Sequence, residues 1–264
     1  MGPAVTAVGR AAWRHGGLLA AAGACTSVAA WEALARAGRL PPLFVPAPSA
    51  IAATTVALVS SGELPAHIAA TLWRVFLGLV LGGVPGAAAG LAMGWSRRLG
   101  GLLDPVVAAL HPVPKIALLP LLLVVFGIGE ASKVVVIAVS AFFPMLINAM
   151  AGVRQISPIH FEVARSCGAS KVKILTRVVL PGSLPLLIAG ARLALNTALL
   201  LTVAVELVLT QNGLGSLIWM AWQTLRIEQL YASLFVIGAL GLLFNLALER
   251  LAERLAPWQV ERSV

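Results

Sequence analysis

Arg74, Lys115, Arg192 and Glu206 are the residues of this chain with the most chemical potential, because each falls inside a long apolar stretch. At the centre of a lone helix in hydrocarbon such a charge costs at least ~2.5 kcal/mol, so it must pair, snorkel or face water. Arg74 lies near the start of the stretch 66–95, and Glu206 near the end of 183–209. At a rise of ~1.5 Å per residue, two oppositely directed helices bring them to similar depth in one leaflet. Two arrangements follow, a buried Arg74–Glu206 pair controlling an outer gate, or two side chains snorkelling independently. The pair is the expectation, because a lone acid does not snorkel easily. Lys115 falls within 102–126, between Pro114 and the run Ala117-Leu118-Leu119-Pro120. It either lines a path and attracts an anionic solute, or bonds to carbonyls freed by the prolines. Asn148, within 132–153, is a candidate interhelical hydrogen-bonder on a translocation path. Arg192 is placed to snorkel back towards the nearer headgroups.

Other chemistry has little to stand on. The sequence contains no G-x-x-x-x-G-K-[ST] phosphate loop, so the chain is not its own ATPase. No His, Cys and carboxylate cluster has metal-ligand spacing, and no nucleophile arrangement is visible. The expectation is no catalytic residue, no metal and no cofactor. His67 and His111 sit near span boundaries, where a polar tip in the headgroup zone is the ordinary reading. Cys25 and Cys167 offer no disulfide framework.

The elements that must position these residues are set by composition. Of 264 residues, 59% are hydrophobic and 11% charged, and mean hydropathy is +0.95. A water-soluble domain carries roughly 25% charged residues, so this chain is built for a bilayer. Apolar segments at 17–37, 66–95, 102–126, 132–153, 183–209 and 231–248 predict six transmembrane helices. The third is interrupted by Pro112, Pro114 and Pro120, which requires it to face protein or a watery path. Gly78, Gly82, Gly86 and Gly90 recur every four positions in the second and predict a smooth ridge for close packing. Formal net charge is +9. Twelve Lys and Arg fall on one side: Arg10, Arg14, Arg97, Arg98, Arg154, Arg165, Lys171, Lys173, Arg177, Arg250, Arg254 and Arg262. The other side holds four, Arg36, Arg39, Lys133 and Arg226. Positive residues mark the cytoplasm, so both termini are expected there. The basic excess is thereby a topology signal, and nucleic acid is not an expected partner.

Residues 162–181, within the loop 154–182, are the longest polar interruption in the C-terminal half. Gly168 suits the left-handed turn ending a helix from Pro158 to about Cys167. Ser170 suits the N-cap of a second helix reaching Leu180, and Pro181 is expected to stop it. This stretch resembles the cytoplasmic EAA loop of ABC-importer permeases. That pattern is E-A-A, three residues, G, nine residues, I-x-L-P. Glu162, Ala164, Gly168, Leu180 and Pro181 fall in register, with Val163 and Val178 as departures. Ala169 follows the glycine. In that family the loop is the coupling helix that sits on the ATP-hydrolysing subunit.

The resemblance extends over roughly 40–250. Val45-Pro46-x-Pro48, Gly94-Trp95-Ser96-Arg97-Arg98, the Pro-rich third span, Phe126 to Glu130 and Ala141-Phe142-Phe143-Pro144 are similar to one branch of these permeases. That branch imports nitrate, sulfonate, taurine, bicarbonate and related solutes. The resemblance implies an all-α integral membrane protein with the type I ABC importer permease fold, in which residues 1–264 form one domain. It implies a multi-pass place in the bacterial inner membrane and a second permease copy, as a homodimer. It further implies two ABC ATPase subunits that bind ATP and Mg, and an extracytoplasmic substrate-binding protein. The alternative is a secondary transporter without an ATPase partner. That would need ion-coupling carboxylates at mid-membrane in related halves, whereas Glu206 is the one acid well inside a predicted span.

Overall fold

The computed structural model describes residues 22–41 and 43–255, and all regular structure among them is helical. Five of the six predicted spans have counterparts among the helices below. The first, 17–37, lies partly outside the described residues; within it residues 22–36 form helix α1. Arg10, Arg14 and Arg262 lie outside the described residues.

The described residues form two compact units. One comprises those up to Leu64 together with Ile218–Leu234. Here the Glu32 carboxylate accepts from Arg36 Nε (2.5 Å) and from the backbone N–H and hydroxyl of Ser49 (2.9 and 2.7 Å). Ser49 opens helix α2 (Pro48–Ser60), so Glu32 supplies an anion to a helix N-terminus that has no cap of its own. The other unit comprises Pro65–Leu217 with the described residues from Phe235 on, and holds every site considered below.

Its framework is three long helices, α3 (Glu63–Trp95), α6 (Glu130–Arg154) and α8 (Lys171–Leu209). Helix α6 is central, with α3 and α8 both packed along it. The predicted glycine ridge is the α3 side of this contact. A Cβ at Gly82 would meet the backbone of Ala138, and one at Gly86 would lie 2.5 Å from the Phe142 carbonyl oxygen. Without side chains at these positions the two backbones approach closely, the usual way membrane helices gain packing energy. Val75, Val136, Ile137, Ala141, Ala194, Leu195, Ala198 and Val205 fill the centre.

Both outer helices carry one π-helical turn, Leu79–Gly83 in α3 and Leu175–Val179 in α8. Each precedes a proline by two residues, Pro85 and Pro181. Proline has no N–H to give and its ring collides with the carbonyl one turn back. The wider turn relieves both problems and lets the helix run on. The expectation that Pro181 ends a helix is therefore corrected. The second helix of the 154–182 loop and the fifth span are one continuous helix of 39 residues.

The third span also differs from expectation. Residues 102–126 are divided between α4 (Arg97–Leu110) and α5 (Leu119–Phe126), the latter led by a 3-10 turn, Lys115–Leu118. The two arms are bent by 87°, with Pro112 and Pro114 at the break. Helix α7 (Pro158–Ser166) follows α6, and α9 (Leu214–Gln223) and α10 (Ile227–Leu255) complete the described residues. Helix α9 lies between the fifth and sixth predicted spans. Among the described residues four helices are long and apolar enough to cross a membrane, or five if the bent pair counts as one span.

Candidate functional site

The 154–182 loop is built by local signals. Helix α7 ends at Cys167, and Gly168 takes φ +71°, the left-handed value that closes a helix. The N–H of Gly168 donates to Arg165 O (2.9 Å) and that of Ala169 to Ala164 O (3.0 Å). This paired closure brings Ala164 and Ala169 onto a core of Val153, Ile174 and Val179. Alanine at both places lets the chain fold back tightly. Ser170 then accepts from Lys173 N–H (3.4 Å) and starts α8, as its sequence position predicts.

Ala164 and Pro181 line one cleft between the two helices, together with His160, Val163 and Arg177. Glu162 points the other way. It is exposed and lines a polar groove of about 750 Å³ with Arg97, Asp104, Arg154 and Arg165, where Arg154 pairs with Asp104 at 2.7 Å. The outward faces carry Ile159, Val163 and Val172 at 54–70% exposure among Lys171, Lys173 and Arg177, and Leu180 is also exposed. Apolar side chains interleaved with cations make a surface suited to a protein partner.

At the far end of α8 the structure joins Arg74 and Glu206. Arg74 Nη1 donates to Glu206 Oε1 at 2.7 Å, with side-chain exposures of 3% and 0%. The guanidinium does more than the sequence suggested. Its Nε and Nη2 form a fork on the two oxygens of Glu130 (2.8 and 2.9 Å), and Asn212 accepts through O (2.9 Å) and Oδ1 (2.5 Å). All five N–H groups of the guanidinium are thus engaged. Glu206 also accepts from Thr71 Oγ1 (2.9 and 3.0 Å) and Gly215 N–H (3.0 Å). Lys133 Nζ donates to Glu130 (2.8 Å), so two acids face two cations.

The loop 210–213 closes over this cluster because Gly213 leaves room. Gly213 has φ +115°, and a Cβ there would enter the Glu206 carboxylate. The His67 ring is buried and turned to the protein rather than offered as a free polar tip, with Nδ1 3.0 Å from Gly213 N and 2.8 Å from its O. Glu130, Asn212, Thr71 and His67 were missed as members of this cluster. The one available signal was an acid in Phe126-Gly127-Ile128-Gly129-Glu130, immediately before a span.

Lys115 sits at the bend between α4 and α5. Its ammonium donates to the carbonyls of His111 and Leu110, which end α4, and lies 4.7 Å from the centre of the Phe143 ring. The carbonyl-bonded alternative is therefore realised, and the same ammonium also borders a cavity of about 460 Å³. That cavity is lined by His111, Ser140, Phe143, Thr197 and Leu200, among others. Asn148 differs from expectation, since its amide donates to Pro144 O in its own helix (2.8 Å). The residue facing it on α8 is Gly190, where an added Cβ would stand 2.7 Å from Asn148 Cβ, so no side-chain acceptor is offered there. The interhelical amide contact lies elsewhere, between Asn245 and Asn196 (3.5 Å). Arg192 Nε is buried without a hydrogen-bond partner.

Residues 75–260 match the model of the family described as binding-protein-dependent transport system inner membrane component. The chain is 35% identical to the taurine transport system permease protein of Escherichia coli, over 88% of this chain and 86% of that one. It is 36% identical to the bicarbonate transport system permease protein of Synechococcus elongatus, over 67% and 64%. Among solved structures it resembles a chain of the inward-facing MetNI methionine ABC transporter. That likeness has a TM-score of 0.61 at 23% identity, covers 70% of this chain and 92% of that one, and supports the fold. An all-helical membrane chain aligned over most of its length with transport permeases is a transport subunit rather than a catalytic one. It belongs to the inner-membrane permease family of binding-protein-dependent ABC transporters.

Proposed function

We propose that this chain is one half of a homodimeric permease, a single six-span domain over residues 1–264 with both termini cytoplasmic. It carries a small anion of the sulfonate, taurine, nitrate or bicarbonate kind from an extracytoplasmic binding protein to the cytoplasm. Two partner ATPases bind ATP and Mg and dock on the loop through Glu162, Ala164, Gly168, Ala169, Leu180 and Pro181. Arg74 and Glu206 form the outer latch, and Lys115 and Asn148 belong to the walls of the path.

The observation that carries this reading is the continuity of α8. A helix of 39 residues spans ~58 Å at ~1.5 Å per residue. Its first turns are in the docking loop, and Glu206 near its other end is held in the Arg74 cluster. Movement of an ATPase against the loop is therefore delivered along one rod to the latch, with the π turn at Leu175–Val179 as its softest point. ATP binding draws the paired loops together and opens the path outward; hydrolysis resets it.

Gly168→Val tests this. A β-branched residue at φ +71° is strained, so the angle between α7 and α8 changes while the spans are untouched. Membrane insertion is expected to persist, with co-purification of the ATPase and solute uptake both lost. Full uptake with undiminished ATPase binding would overturn the docking assignment.

A further inference from the structure

The cavity between the bent α4–α5 pair, α6 and α8 has the makings of a solute site, and its chemistry narrows the solute. It lies beside Ser140 and Phe143, near the middle of α6, and beside Thr197 and Leu200 in the second half of α8. At about 460 Å³ it is in the size range of small-ligand pockets, and like them it is mostly apolar with a few polar groups.

Those polar groups have one sign. Lys115 is the cation, and among the described residues it forms no ion pair with a carboxylate. Two of its ammonium hydrogens are directed to the carbonyls of Leu110 and His111, the former at a long 3.4 Å. One N–H therefore remains for a ligand, and the His111 ring brings a second. The hydroxyl protons of Thr197 and Ser140 already go to carbonyls of their own helices, so neither strengthens an anion site. A single positive charge with two donors suits one anionic head. The apolar side of the lining, Leu200, Leu201 and Ala204, then suits an apolar remainder.

We infer that this cavity is a recognition site within the permease for an organic monoanion, a small anionic head on a short apolar chain. This rests on the permease reading above and deepens it. An inorganic oxyanion such as nitrate leaves the apolar wall empty. A zwitterion such as taurine brings an ammonium to a cavity with no carboxylate. Butanesulfonate satisfies both ends.

The test places a reporter in the wall. Leu200 is 70% exposed and lines the cavity, so Leu200→Cys is labelled by N-ethylmaleimide in vesicles holding the whole transporter, with Cys25 and Cys167 replaced by Ser. Butanesulfonate is expected to slow labelling more than equal concentrations of taurine or nitrate. Adding Lys115→Met should weaken that protection about tenfold, the order of a lost charge-assisted hydrogen bond. Lys115→Arg should retain most of it. Melting temperatures of each variant separate recognition from loss of fold, since a purely carbonyl-capping lysine would lower the melt and leave the ranking unchanged. Equal protection by nitrate or taurine, protection by none of the three, or protection indifferent to Lys115→Met would overturn the assignment. ATP-driven uptake of any of the three by the same vesicles tests the permease reading separately, so uptake with unranked protection sinks the cavity assignment alone.

Discussion

Arg74→Met removes the hub of the buried cluster, and the structure says how unequal its arms are. Glu206 is fully buried and would keep only Thr71 and Gly215 as donors. Removing one member of such a pair costs ~3–5 kcal/mol. Glu206→Gln is milder, about 2–3 kcal/mol, because Glu130 still balances the guanidinium and the amide keeps one acceptor. Glu130 is 56% exposed, so solvent already screens its arm and Glu130→Gln should cost about 1 kcal/mol or less. In the Arg74→Met, Glu206→Gln double variant no buried charge is orphaned, since Glu130 keeps Lys133 at 2.8 Å. The double variant should therefore recover part of the loss and cost less than Arg74→Met alone, a coupling of at least about 2–3 kcal/mol. Unfolding of the four proteins in detergent measures this directly. Additivity within ~0.5 kcal/mol, or a Glu130→Gln as costly as Glu206→Gln, would refute the picture of one buried and one solvent-facing arm.

Three further outcomes follow. Gly82→Leu drives a side chain into the Ala138 backbone and should destabilise by about 3 kcal/mol, the upper end of overpacking costs; Gly101→Leu meets nothing within 4 Å and should stay within ~0.5 kcal/mol, as read by melting. Asn245→Leu loses one interhelical contact, the long 3.5 Å bond to Asn196, besides a 2.9 Å bond to Gly241 O in its own helix, and should cost about 0.6 kcal/mol in the same assay. Reporter fusions after Arg98, at Ser170 and after Arg254 should read cytoplasm, whereas fusions near Gly62, Glu130 and Gln223 should read outside, and a cytoplasmic signal at Gln223 would break the six-span count.

The parts of this molecule legible in the sequence are those whose causes are local. Gly168, Ser170 and the two alanines announce the loop because a helix end, a cap and a tight return are all decided within about six residues. The glycine ridge was legible because its four-residue period is itself the packing surface. The depth of Arg74 and Glu206 could be counted along two helices, and that count brought them together. What was hidden depends on distant partners. Glu130 is 56 positions from Arg74, and nothing near it marks it as a ligand of that guanidinium. Asn212 and Gly215 reach the cluster by a loop whose course no periodicity predicts. Pro181 misled because the rule that proline ends a helix assumes the preceding turns keep their ordinary width. Lys115 was legible as an anomaly, but the 87° bend that hands it two carbonyls and a cavity was not.

The central claim is that a partner's ATP drives solute through this chain. Proteoliposomes holding the chain, its ATPase and its binding protein, loaded inside with ATP and offered labelled butanesulfonate, taurine, nitrate and bicarbonate, test it most directly. Uptake of at least one anion is expected only with hydrolysable ATP and all three components, and not from a proton or sodium gradient. Gradient-driven uptake by the chain without the ATPase would contradict the account and make this protein a secondary transporter.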